Sequence, residues 1–350
     1  MWEQIRSNRI RSVILVVGMA LILVLLGFFI GLALGSWIVG LIIALILWGI
    51  MTLIAFFQGD SIILSMAHAK KITLADNQRL FDVVEEMKIA SGLEKMPDVY
   101  IIEDSALNAF ATGRDPNHSA IAITSGLLQM LNRDELQGVI GHEMSHIKNR
   151  DVKLMSLLTV LLGTIVILAW YAGMFAFLGA ANAGSGQSSS RNNRRGGGGG
   201  GGGIQIFVAL IAILLAILAP IFAQLIYFSV SRKREYLADA SSALYTRYPE
   251  GLASALEKLA RSETPLKSAN KATAPMYIIN PFKKKGMSLS DLTSTHPPTA
   301  ERIRILRSMA GGSYADYEKA YEQSKGKRGL IPPSTLTGAG DDVPLRKASP

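Results

Sequence analysis

The chain has 350 residues, 49% of them apolar and only 18% charged, with a net charge of +9 and a mean hydropathy of +0.28. That balance, with the charges gathered into blocks, excludes a purely soluble protein and the disordered and fibrous classes. Cysteine is absent, which removes disulfides, thiolate metal sites and thiol nucleophiles.

Residues 12–59, 154–190 and 204–231 contain no Asp, Glu, Lys or Arg. A surface helix needs a polar face, whereas crossing a roughly 30 Å hydrocarbon layer takes about 20 apolar residues. The first stretch is long enough for two crossings, 14–34 and 37–57, turning at Gly35-Ser36, and is far longer than the core of a cleavable signal peptide. Further crossings are expected at 154–178 and 204–228, the latter kinked at Pro220. Between them, residues 183–203 include eight consecutive glycines, a flexible linker with no strand or following Lys to make it a phosphate loop.

Orientation follows the basic residues. Arg6, Arg9 and Arg11 precede the first span, ten Lys or Arg lie in 60–153 and twenty follow residue 231. They outnumber Arg191, Arg194 and Arg195 of the loop between spans three and four, and place the polar segments in the cytoplasm. The positive charge then reads as topology and attraction to anionic lipid, and no nucleic-acid partner is expected. The chain divides into an N-terminal hairpin (1–58), a first polar half (59–153), a second hairpin with the glycine loop (154–230), a second polar half (231–325) and a tail (326–350) whose composition predicts disorder. Helical periodicity covers 72–91, short β-like runs follow at 98–102, 108–112 and 120–124, and helices are expected from Lys233 to about Ala260 and over 298–309.

Asn132 and Glu135 have the spacing of a capping box opening a helix with an apolar stripe of Leu136, Val139, Ile140 and Ile147. On that helix His142 and His146 are four apart, so both imidazoles share a face and can reach one metal ion, with Glu143 on the flank as a proton acceptor. Two surface histidines around a solvated Glu are the bland alternative. A hydrolytic zinc site wants three protein ligands and one open position. No third histidine follows closely, and Glu235 is the best candidate, four residues before Asp239, a carboxylate placed to orient a ligating imidazole. An ion pair among Arg232, Lys233 and Arg234 is the competing reading of Glu235, but an even number of crossings separates it from the two-histidine helix and returns both to one leaflet.

The run His142-Glu-Met-Ser-His146, followed after a membrane hairpin by Glu235-Tyr-Leu-Ala-Asp239, resembles the HtpX family of membrane zinc metalloproteases, relatives of the CAAX prenyl proteases. The resemblance extends from the first span to about residue 310. It implies a four-span α-helical membrane protein carrying a split cytoplasmic α+β zincin-like domain in the plasma (inner) membrane. It also implies one Zn²⁺ per subunit on His142, His146 and Glu235, with Glu143 as general base and Asp239 behind the ligands. His296, in His296-Pro-Pro298, or Arg232 would stabilise the transition-state oxygen, and Asn108, Ala109, Phe110 and Ala111 would form the edge strand that binds substrate. His68 and His118 match nothing in the pattern.

The implied activity is endopeptidase cleavage of misfolded or damaged membrane proteins, an unfolded chain adding as a strand through its backbone. The alternatives are a CAAX-type protease on lipidated C-termini, usually with more spans, and a membrane scaffold with a vestigial zinc site. A transporter is disfavoured because the expected spans carry no ionisable residue.

Overall fold

The computed structural model describes residues 2–33, 35–161, 232–269, 273–281, 296–336 and Arg346, with isolated positions between 163 and 221. Two compact units emerge, one holding Phe56–Thr159 and the chain from 228 on together with the extreme N-terminus, the other holding Val13–Ala55 and the apolar chain 160–227.

Helix α1 (Trp2–Ala33) turns at Gly35 into α2 (Trp37–Met66), and the apolar unit takes the part of the pair from Val13 to Ala55. Ile14, Val17, Leu21, Ile42, Ile46 and Leu53 are exposed, an arrangement that suits a hydrocarbon surround and not water. The two helices meet through small residues: a Cβ built on Gly31 would lie 2.8 Å from the Gly40 Cα, so only glycine permits this approach. Trp37–Met66 is the one helix among the described residues long and apolar enough to cross a membrane, and the apolar stretch Val16–Phe29 within α1 is shorter. Residues 151–161 are helical, and the rest of the expected third and fourth spans, with the glycine loop, lies outside the described residues apart from the isolated positions.

The larger unit is built on a four-stranded sheet in the order β1-β2-β4-β3, with β1 (Ala69–Lys71), β2 (Asp98–Ile102), β3 (Ala109–Asp115) and β4 (His118–Thr124). Strand β4 is parallel to β2 and antiparallel to β3, with Ile121 opposite Val99 and Ala111. Alternation along β4 sends Ile121 and Ile123 into the main core and Ala120 and Ala122 toward Ile63, Leu64 and Ala67 at the end of α2. Helix α5 (Arg133–Lys148), which follows the short α4 (Ser125–Met130), runs through the main core. Its Leu136, Val139, Ile140, Met144 and Ile147 are fully buried against α3 (Gln78–Ser91), α6 (Lys233–Thr246) and α7 (Pro249–Arg261). Gly138 lets α7 come close, since a Cβ there would sit 2.6 Å from the Leu252 nitrogen.

Local polar chemistry moves several boundaries from those the periodicity suggests. The helix expected from residue 72 begins at Gln78: Asp76 accepts hydrogen bonds from the Thr73 N–H and hydroxyl, both at 2.7 Å, and the Asn77 side chain caps the helix. The single helix expected from Lys233 to Ala260 is two, because Arg247 is left-handed (φ 52°) and Pro249 bars a helical Tyr248. The expected helix over 298–309 appears as α8 (Thr299–Arg307), and α9 (Tyr314–Lys325) opens on a Ser313–Asp316 capping box.

The disorder expected from residue 326 is overturned for 326–336. Leu330 and Ile331 are buried in the main core. The Glu318 carboxylate accepts the N–H groups of Gly329, Leu330 and Ile331, which satisfies the backbone that this burial removes from water. Farther on, Arg346 reaches Asp134 at 2.6 Å and Gln137 at 2.9 Å.

Candidate metal centre

Helix α5 begins with the capping box its sequence announces: Asn132 Oδ1 accepts the Glu135 N–H at 2.9 Å and Glu135 Oε2 accepts the Asn132 N–H at 2.8 Å. This start sets the phase that puts His142 and His146 on one face. Their Nε2 atoms lie 3.2 Å apart. Helix α6 packs alongside and brings Glu235, with Oε2 3.7 Å from His142 Nε2 and Oε1 3.5 Å from His146 Nε2. Ligands about 2.0–2.1 Å from one ion at tetrahedral angles stand about 3.3 Å apart. The two imidazole nitrogens stand at that spacing, one Glu235 oxygen approaches each ring, and with one donor atom taken from each residue all three lie within 4.8 Å of one another; this is the three-residue group among the described residues that could hold a first-row cation.

Behind each imidazole stands a carboxylate. Asp239 Oδ1 is 3.0 Å from His142 Nδ1, and Asp151 Oδ2 is 3.1 Å from His146 Nδ1. Each keeps its ring proton on Nδ1 and turns the Nε2 lone pair toward the common centre. Arg302, fully buried on α8, donates to Asp239 from Nε at 2.8 Å and Nη2 at 2.7 Å, and from Nη1 to the Ile278 carbonyl at 3.1 Å. His296 Nδ1 stands 3.0 Å from Glu235 Oε2.

The electrostatics follow. Burial alone would lower the His142 pKa, but hydrogen bonds to Asp239 and Glu235 outweigh it and hold the group up at about 9. A cation entering here displaces that proton. Burial raises the Glu235 carboxyl, and the charges of His296, His142 and His146 more than reverse this, leaving it well below the usual carboxylate range. Glu143 moves the other way: burial raises its pKa against the pull of His142 and His146. A backbone hydrogen bond from Ala111 also pulls it down, and both of its oxygens are buried at the wall of the site.

A cleft of about 530 Å³ opens beside these residues, lined by Ala111, Glu143, Val152, Met155, Arg234, Met276 and Ile278 among others. The strand expected to meet substrate needs redrawing. Asn108 precedes β3, and its buried side chain donates to the Ile279 carbonyl at 3.2 Å. The outer edge at Ala109 and Phe110 is taken by the chain's own 277–278 segment, the Ile278 N–H donating to the Ala109 carbonyl at 3.0 Å and Phe110 bridging to Tyr277. Of the four residues, Ala111 borders the cleft. The arginine in the lining is Arg234; Arg232 is the residue before α6 and is not part of it. His118 pairs with Asp115 on the surface, away from the cleft.

Sequence reasoning missed Arg302 and Asp151. Arg302 shares a helix face with Ile305 and Leu306, an apolar setting that marks it as buried. Asp151 gave no signal beyond lying five residues after His146.

A buried two-histidine helix with an adjacent glutamate, completed by a glutamate from a second helix beside the edge of a mixed sheet, belongs to the metallopeptidase class. The chain matches the model of Peptidase family M48 over residues 74–310. It is 41% identical over 312 residues to a protease HtpX homolog of Dictyoglomus turgidum, covering 88% of this chain and 94% of that one. A protease HtpX homolog of Streptococcus agalactiae is 42% identical over 310 residues, covering 88% and 100%. The crystal structure of S. mikatae Ste24p aligns over 87% of this chain and 67% of its own with a TM-score of 0.44 and 19% identity. The chain belongs to peptidase family M48, alongside the HtpX proteases, and is a membrane-bound metalloprotease.

Proposed function

We propose that the chain is a zinc-dependent endopeptidase of the plasma (inner) membrane, with four spans and its split catalytic domain in the cytoplasm, cleaving misfolded or damaged membrane proteins. One observation carries the chemistry: two imidazole nitrogens 3.2 Å apart, each approached by one oxygen of the Glu235 carboxylate, stand beside a second, buried carboxylate, Glu143. His142, His146 and Glu235 would hold one Zn²⁺ per subunit, which acidifies a water molecule and polarises the scissile carbonyl.

The chain's own residues do the rest. An extended substrate lies along β3 from Ala111 onward, facing the 275–278 segment across the cleft. Glu143 takes the water's proton on a carboxylate oxygen and delivers it to the departing amine as the C–N bond breaks; its raised pKa brings it closer to the operating pH, where such exchange is efficient. His296 and Arg234 flank the cleft where the carbonyl oxygen gains charge. A backbone-reading strand accepts many sequences, which suits damaged proteins of no fixed sequence.

The test is Glu143→Gln in the full-length chain in detergent. Zinc content stays at the wild-type level while cleavage of an unfolded protein drops by at least about 100-fold. Wild-type turnover in that variant removes the general-base role, and zinc-free wild-type protein that still cleaves removes the metal mechanism.

A further inference from the structure

The two ligating imidazoles are supported in parallel. His142 leans on Asp239, which Arg302 holds; His146 leans on Asp151, whose Oδ1 lies 3.6 Å from the Arg234 Nε. The first of these carboxylates is implied by the family motif, and the second is not. We infer that Asp151 is a positioning residue that fixes the tautomer and ring plane of His146 for the metal, with Arg234 steadying it; this rests on the metal-site reading above.

Three observations build the assignment. Helix α5 ends at Lys148, and Arg150 then adopts a left-handed conformation (φ 60°) before the chain re-enters helix at residue 151. That reversal aims the Asp151 side chain back at the turn carrying His146, whereas continued helix would swing residue 151 to another face. A non-glycine residue held left-handed is disfavoured, so the surroundings must enforce this turn. Second, the Asp151 side chain is only 4% exposed, although a carboxylate this buried is costly unless well paired. Third, its two oxygens divide their work: Oδ2 faces His146 Nδ1 at 3.1 Å while Oδ1 faces the guanidinium that lines the cleft. A carboxylate serving only to tie α6 to the turn would have no reason to meet the ring nitrogen opposite the ligating one.

The inference separates Asp151 from a plain ion pair by what its loss does to the metal. Outer-sphere partners of ligating histidines commonly account for about 10–100-fold in metal affinity. The experiment uses the full-length chain in detergent, with zinc affinity from chelator competition and the visible spectrum of the Co²⁺-substituted protein. Asp151→Ala weakens zinc by about 10–100-fold and shifts the cobalt bands, Asp151→Asn, which keeps an acceptor, falls between it and wild type, and Arg234→Met weakens zinc a few-fold. His146→Ala is the reference for loss of a ligand. Wild-type zinc affinity and an unshifted cobalt spectrum in both Asp151 variants overturn the inference while leaving the metal site intact. Unchanged affinity in His146→Ala instead overturns the ligand set itself. Should Asp151→Ala fail to fold, the near-isosteric Asn variant decides alone.

Discussion

Replacing Arg302 by Met tests how the site is held. The guanidinium is fully buried, and its Nε and Nη2 grip Asp239, itself 0% exposed, at 2.8 and 2.7 Å. Burial raises the Asp239 pKa, but the charge of Arg302 outweighs this and keeps the carboxyl below its ordinary value. Methionine fills much of the volume yet leaves that carboxylate without its guanidinium partner, a change that costs about 3–5 kcal/mol. The Ile278 carbonyl also loses its donor, adding about 1 kcal/mol. For a folded unit of 150–250 residues each kcal/mol moves the melting temperature by about 2–4 °C, so thermal unfolding in detergent should drop by roughly 8–24 °C. The double variant Arg302→Met/Asp239→Asn removes a buried charge that would then have only His142 beside it, and should recover part of the loss. A drop below about 1 kcal/mol for the single variant, or no recovery in the double, refutes the account of Arg302 as the counter-charge that makes Asp239 tolerable there.

Two further perturbations follow. With His142 held up at about 9, zinc must displace a proton at neutral pH, so affinity should rise about tenfold per pH unit between about pH 6 and 8.5, read by chelator competition; a flat profile contradicts it. The sign for the metal-free protein is opposite, because the raised pKa contributes stability that is fully present below the unfolded value near 6.5 and lost as pH rises through about 9. Truncation after residue 326 removes the buried Leu330 and Ile331 and strips Glu318 of three N–H donors, and should destabilise the larger unit by about 3–6 kcal/mol in thermal unfolding, whereas an end at residue 336 keeps that packing and gives up only the contacts of Arg346, about 1 kcal/mol. Equal melting of the two truncations counters the packing argument.

What could be read in advance was local chemistry at short spacing. The phase of α5 follows from Asn132 and Glu135, and four residues on one helix bring His142 and His146 together whatever surrounds them. The apolar runs of β2 and β4 announce themselves by composition, while β1, three residues reading Ala-Lys-Lys, does not; it exists because β2 offers it a partner. The tail misled for the same reason: Gly, Pro, Ser and Lys dominate its composition, and nothing local says that Leu330 and Ile331 will find the core and Glu318 their amides.

The arginines make the deeper point. A charged residue is ordinarily read as solvated, and the family resemblance pointed to Arg232, three residues before Glu235, yet Arg234 reaches the cleft and Arg302, 63 residues after Asp239, holds the site from behind. Pairing at that range is fixed by the packing of α8 on α6 and has no sequence spacing of its own. A trace of it was nonetheless present on both helices. Asp239 stands among Leu237, Ala240 and Ala243, and Arg302 stands among Ile305 and Leu306, so each is one charge set in an apolar stripe. A lone buried charge is prohibitive, while two of opposite sign on two such stripes can satisfy each other. Looking for complementary intrusions of this kind would have joined Arg302 to the site before any coordinates existed. Asp151 lies outside even that rule, because its reach depends on the single left-handed residue at position 150, where an arginine gives no local reason for the turn.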